Sequence, residues 1–86
     1  MDSAAKIEEV LRKMVESLDK GVRLETLMDE EGEWTVILSK GNHSDKAKLS
    51  RELLEEFLQT GKGGKEVRHA LGKVIAKINL LSQRRR

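Results

Sequence analysis

Apolar residues recur at intervals of three and four from Ala4 to Lys20. Ile7, Val10, Leu11, Met14, Val15 and Leu18 fall on one stripe, with Lys6, Glu9, Lys13 and Glu16 off it, which predicts an amphipathic helix. Asp2 or Ser3 is placed to cap its start, and Gly21 to end it in a left-handed conformation. The period then changes to two. Val22, Leu24, Thr26 and Met28 alternate with Arg23, Glu25 and Leu27. Beyond the acidic turn Asp29-Glu30-Glu31-Gly32, the residues Trp34, Val36 and Leu38 alternate with Thr35, Ile37 and Ser39. Two alternating runs joined by a connection that ends in glycine predict an antiparallel hairpin with Trp34 on its core face.

The stretch from Lys40 to Asp45 reads as a loop by composition, and Ser44, Asp45 or Ser50 is available to cap the helix that follows. Leu49, Leu53, Leu54, Phe57 and Leu58 form that helix's apolar stripe, and Gly61 ends it. After Gly61-Lys62-Gly63-Gly64, the residues Val67, Leu71, Val74, Ile78 and Leu81 are spaced four, three, four, three, a helical seam. Gly72 weakens this last helix by about 1 kcal/mol relative to alanine without ending it. The expected fold is α+β in the order helix, strand, strand, helix, helix, a two-stranded antiparallel hairpin packed on helices. It forms one domain over residues 1–83, followed by the basic tail Arg84, Arg85 and Arg86. A lone hairpin is marginal in water and leaves two open edges. A homodimer, through hairpins paired across a two-fold axis or through the seam of the last helix, is one way to bury these surfaces; closure of every face within one chain is the other.

Composition narrows the classes. The chain has 86 residues, no cysteine and no proline, so it holds one small aliphatic core with no disulfide or cysteine-rich metal site to staple it. Its apolar runs fall far short of the roughly 20 residues that span a bilayer, and acids stand near the start where a signal peptide carries a basic and then apolar stretch. The expectation is a cytoplasmic protein with no membrane partner. Charge is more informative divided than summed. Residues 1–60 carry 9 Lys+Arg against 14 Asp+Glu, a net −5, whereas residues 61–86 carry 8 Lys+Arg against the single acid Glu66, a net +7. Such polarity fits docking on phosphate or on an acidic partner; it also fits charge segregation that keeps a small domain in solution.

The glycine loop lacks the GxxxxGK[ST] spacing of a nucleotide-hydrolysing phosphate loop: Gln59 stands at the first glycine position and Glu66 at the hydroxyl position. What remains is a set of backbone N–H groups at Gly63, Gly64 and Lys65, at the positive end of a helix, beside Lys62 and Lys65. These suit one phosphate, and equally a hinge between helices with solvated lysines. The run Gly61-Lys62-Gly63-Gly64-Lys65-Glu66-Val67 between two helical segments resembles the GxxG loop of KH-type nucleic-acid-binding domains. That resemblance implies a loop that clamps the sugar-phosphate backbone of single-stranded RNA or DNA, and a strand at Ala76 to Leu80. It covers about a quarter of the chain and departs from the family at Thr60, where an aliphatic residue is usual. The seam itself argues for helix through residues 76–80.

Lys65, Arg68, His69, Lys73, Lys77 and Arg84 to Arg86 could track phosphates along a helix side and tail, or complement the dipole at the helix C-terminus. The only aromatics, Trp34 and Phe57, lie on apolar stripes, so base stacking is not served. His43, Ser44 and Asp45 are sequence neighbours, which a catalytic triad does not use. Two distant histidines without cysteine do not make a zinc site, and the acids Asp29, Glu30, Glu31 and Glu33 lack the spacing of a calcium loop. No catalytic residue, metal or cofactor is expected. The functional expectation is a small module that binds RNA or DNA phosphates through Lys62, Gly63, Gly64, Lys65 and the basic last helix. The alternative is a dimeric interaction or assembly factor whose basic helix meets an acidic protein partner.

Overall fold

The computed structural model describes residues 3–83 and contains, in chain order, α1 (Ser3–Leu18), β1 (Arg23–Glu30), β2 (Glu33–Lys40), β3 (His43–Ser50), α2 (Arg51–Thr60) and α3 (Gly64–Gln83). The α+β class and the order of the predicted elements hold, with one correction: the sheet has three antiparallel strands in the order β1-β2-β3, not two. The segment expected to be a loop turns at Gly41, whose φ of 62° supplies the positive dihedral that a tight hairpin needs at its first central position. From His43 the chain pairs with β2 all the way to Ser50. Ser44 and Asp45 are therefore strand residues. Ser50 is the cap of α2, its hydroxyl accepting the Leu53 N–H.

Side chains of alternate register fill one face of the sheet. Leu24 stands beside Leu38, Val36 beside Ala47, and Trp34 beside Leu49, and all six are buried with Ile7, Leu11 and Val15 of α1, Leu54 of α2, and Val67, Leu71, Ile75 and Ile78 of α3. α1 lies over β1, and α3 lies over β3 and reaches β2. Burying a side chain of this size stabilises by about 1.5–3 kcal/mol, which is what fixes the helices to this face alone. The seam of α3 is consumed inside the chain: Val67, Leu71 and Ile78 are fully buried, and only Leu81 at its end stays exposed.

The alternation in β1 breaks at Glu25. Leu24 pairs with Leu38 but Thr26 pairs with Ile37, so one extra residue is inserted and the phase reverses. Leu27, not Met28, then turns toward the core, and Met28 is 38% exposed. Gly21 does not take the left-handed conformation expected of it. α1 stops at Leu18, the Val22 N–H donates to the Asp19 carbonyl, and a Cβ on Gly21 would lie 3.0 Å from Lys40 Cε. A side chain there would press on the Lys40 stem. Asp2, proposed as a cap of α1, lies outside the described residues, as do Arg84, Arg85 and Arg86.

Both ends of the sandwich are tied by polar contacts between distant segments. At one end the Lys40 ammonium donates to Asn79 Oδ1 (2.7 Å) and approaches Asp19 Oδ2 (3.5 Å), while Asn79 Nδ2 donates to the same Asp19 oxygen (2.9 Å). At the other end the Arg51 N–H donates to the Gly32 carbonyl, its guanidinium pairs with Asp29, and the same group lies 5.0 Å from the centre of the Trp34 ring. Trp34 is on the core face as expected, 5% exposed, its indole N–H without an acceptor.

Candidate nucleic-acid interface

α3 runs as one helix from Gly64 to Gln83. Residues 76–80, where the KH resemblance implies a strand, are part of it. Its buried stripe fixes which side faces water, and Lys65, Arg68, His69, Lys73 and Lys77 are all exposed. Lys65, His69, Lys73 and Lys77 are four apart. Successive members therefore rise about 6 Å and drift about 40° around the axis, making a line about 18 Å long. The line ends at β3, where the Lys77 ammonium is 3.6 Å from Asp45 Oδ2. Among the described residues, no other member of the line, nor Lys62 or Arg68, has a carboxylate within ion-pair distance. On α1, by contrast, Arg12 pairs with Glu8 and Lys13 with Glu9 one turn back. Local pairing thus takes up Arg12 and Lys13 on the first helix, whereas Lys65, Arg68 and Lys73 on the last have no such partner among the described residues.

The glycine loop forms the corner between α2 and α3. Gly61 and Gly63 have φ of 83° and 84°. A Cβ on Gly63 would sit 2.7 Å from Leu53 Cδ1, and one on Gly64 would sit 3.0 Å from Phe57 Cε1. A side chain at either position would have to push Leu53 or Phe57 aside, a packing reason for the glycines that stands without any ligand. Lys62 and Lys65 project from it, both exposed. The Lys62 N–H is taken by the Thr60 hydroxyl (3.1 Å), whereas the amides of Gly64, Lys65 and Glu66 open the helix and have no intrahelical acceptor. Glu66, the one acid of α3, stands in that first turn and offsets part of the positive field. Lys65, Glu66 and His69 line a shallow open depression there.

No family model, curated protein or solved structure matches the chain. The arrangement of its own residues is therefore what bears on function.

The structure brings Lys62, Lys65, Arg68, His69, Lys73 and Lys77 onto the exposed side of one helix and its leading corner; Gly63 and Gly64 are half-buried beneath them. His43, Ser44 and Asp45 are held in an extended strand, and Asp45 serves to tie α3 to β3. Among the described residues, no group of three or more His, Asp or Glu forms that could hold a metal ion, and no helix is long and apolar enough to cross a membrane. Sequence reasoning missed the clasp of Asp19, Lys40 and Asn79. Amide donation from Asn79 and from the Gly21 backbone, with Lys40 alongside, holds the Asp19 carboxyl below the ordinary carboxylate range despite its partial burial. Also unforeseen was a polar cleft between α1 and β1, where Arg12, Lys20 and Arg23 face Glu16 and Glu25. Its charges are nearly balanced, so it presents no field of one sign.

Proposed function

We propose that the protein binds the phosphate backbone of RNA or DNA along the exposed side of α3. The observation that carries this reading is the line Lys65, His69, Lys73 and Lys77, with Lys62 and Arg68 beside it, on which only Lys77 has a carboxylate partner among the described residues. Lys62, Lys65, Arg68 and Lys73, cations without a carboxylate partner on a rigid helix and its leading corner, attract a polyanion and release its counterions, a mechanism that needs no base contact. Base stacking plays no part, because Trp34 is buried and Phe57 packs into the α2–α3 corner. The acidic tip at Asp29, Glu30, Glu31 and Glu33 lies at the Arg51 end of the sheet, and Asn79 lies at the other. An anion is thereby repelled from the Arg51 end of the sheet.

The test is titration of the protein with short single- and double-stranded RNA and DNA at two salt concentrations. Each neutralised phosphate contact contributes about 0.7–0.9 to the logarithmic salt slope, so Lys65→Glu with Lys73→Glu should flatten it by about 1.4–1.8, for every sequence alike. Lys62→Glu with Lys65→Glu tests the corner in the same way, and removal of residues 84–86 tests the tail. Absence of binding at low salt, or binding that all these variants leave intact, refutes the reading. A second reading is favoured by one observation: Leu80 and Leu81 are 56% and 43% exposed on the same helix. An acidic protein partner would use them as apolar anchors. Binding would then depend on Leu80→Ala as strongly as on charge.

A further inference from the structure

Lys77 is the one member of the α3 line with a carboxylate partner among the described residues, and that partner comes from another element. Asp45 stands opposite the buried Leu38 in the β2–β3 ladder, which puts its side chain on the sheet face that carries the helices. Its Oδ1 accepts the Lys46 N–H (2.8 Å), and its Oδ2 lies 3.6 Å from Lys77 Nζ. The strand therefore holds the carboxylate, whose side chain is 30% exposed, and the ammonium comes to it on a flexible stem that is 68% exposed. At 3.6 Å the contact is Coulombic rather than a hydrogen bond. It adds little to the attachment of α3, which rests on Ala47 and Leu49 of β3 buried together with Val67, Leu71, Ile75 and Ile78. Glu66, the one acid of α3, forms no ion pair among the described residues.

Building on the phosphate-binding reading, we propose that Asp45 is an internal competitor for phosphate at Lys77, which keeps the C-terminal end of the α3 line out of use until an incoming anion displaces the carboxylate. Phosphate and Asp45 offer the ammonium the same chemistry, an oxygen anion. Lys77 therefore exchanges one for the other instead of gaining a new contact. The ion count changes as well. A phosphate that binds Lys65 or Lys73 releases a condensed cation to solvent. At Lys77 that release is offset by a cation that gathers at the freed Asp45 carboxylate, and the carboxylate stays beside the bound polyanion as a like charge. Lys77 thus contributes little to affinity, or to its salt dependence, while Asp45 is ionised. Asp45→Asn removes the charge, keeps a side-chain oxygen for the Lys46 N–H and returns Lys77 to the line. An exposed ion pair corresponds to at most about a fivefold change in an equilibrium constant, which sets the scale of the gain.

Titration of the full chain with short fluorescent RNA and DNA across a range of salt concentrations tests this, using Lys73→Gln, Lys77→Gln, Asp45→Asn, and Asp45→Asn combined with Lys77→Gln. Lys73→Gln should flatten the logarithmic salt slope by about 0.7–0.9, whereas Lys77→Gln should leave it nearly unchanged. Asp45→Asn should tighten binding by about two- to fivefold and steepen the slope by about 0.7–0.9. In the Lys77→Gln background the same substitution should do neither. Equal flattening by Lys73→Gln and Lys77→Gln overturns the proposal, a comparison that does not depend on any Asp45 variant folding. An Asp45→Asn protein that thermal unfolding shows to be folded, yet binds no more tightly, makes Asp45 a structural tie alone and overturns it too. So does a gain that persists without Lys77, because it reports only the lost negative charge. In each of these cases weakened binding by Lys73→Gln leaves the phosphate-binding reading standing. Absence of binding by the native chain at low salt refutes both.

Discussion

Three glycines of the C-terminal half make a graded test of the α2–α3 corner. Gly72 lies inside α3 with open space where a Cβ would go. Gly72→Ala removes unfolded-state freedom at no steric cost and should stabilise by about 0.5–1 kcal/mol. Gly61 also faces open space but has φ of 83°, so Gly61→Ala meets only the left-handed penalty, about 1–2 kcal/mol. Gly63 has the same dihedral and, in addition, the 2.7 Å approach to Leu53 Cδ1. That atom ends a half-buried side chain packed against the core, and displacing it adds roughly 1 kcal/mol or more of overpacking. The order of stability should therefore be Gly72→Ala, native, Gly61→Ala, Gly63→Ala, spanning about 2.5–4 kcal/mol in total. Urea unfolding followed through the fluorescence of Trp34, the single tryptophan, measures each step; for a chain of this size 1 kcal/mol corresponds to about 4–8 °C in Tm. Equal losses at Gly61 and Gly63 would falsify the close packing of the corner, and a loss at Gly72 would refute the placement of that position on open helix. Should Gly63→Ala lower stability yet leave affinity for RNA intact, the glycine serves the corner and the lysines serve the ligand.

Trp34→Ala and Leu11→Ala each vacate a core position and should cost about 2–5 kcal/mol, read for both by thermal unfolding; a change under 1 kcal/mol at either site contradicts its burial. Asp19 has its folded-state pKa lowered by Asn79, Gly21 and Lys40. The stability it contributes is therefore fully present above the unfolded value of 3.8 and is lost as pH falls through the folded one. Asp19→Asn should be less stable at neutral pH and show a shallower decline of stability as pH falls below 3.8, and identical acid profiles for the two proteins would remove the clasp from the account.

Much of the fold could be read from local pattern because helices and paired strands impose their own period on burial. Ile7, Leu11 and Val15 of the first stripe and Val67, Leu71 and Ile78 of the seam are buried as their spacing demands, while Val10, Met14 and Val74 are half-buried and Leu18 is exposed; the alternation of Trp34, Val36 and Leu38 survives intact on the central strand. Basic residues at intervals of four on α3 were visible for the same reason: once the apolar side of a helix is known, its exposed side follows.

Tertiary structure decided what local pattern does not encode. β3 carries only Ala47 and Leu49 toward the core, with His43, Ser44, Asp45, Lys46 and Lys48 around them, too polar to read as a strand. It becomes one because β2 offers it a complete ladder and α3 covers its two apolar residues. The bulge at Glu25 is defined only by where β1 pairs with β2, and it alone determines that Leu27 turns inward and Met28 outward. Asp19 and Asn79 are 60 positions apart. No spacing rule links residues so distant, and their contact exists because α1 and α3 end at the same end of the sheet, where a shared Lys40 satisfies both. Sequence alone thus determined the faces of α1, β2 and α3, whose periods run unbroken. Which faces meet is settled by the count and register of the strands.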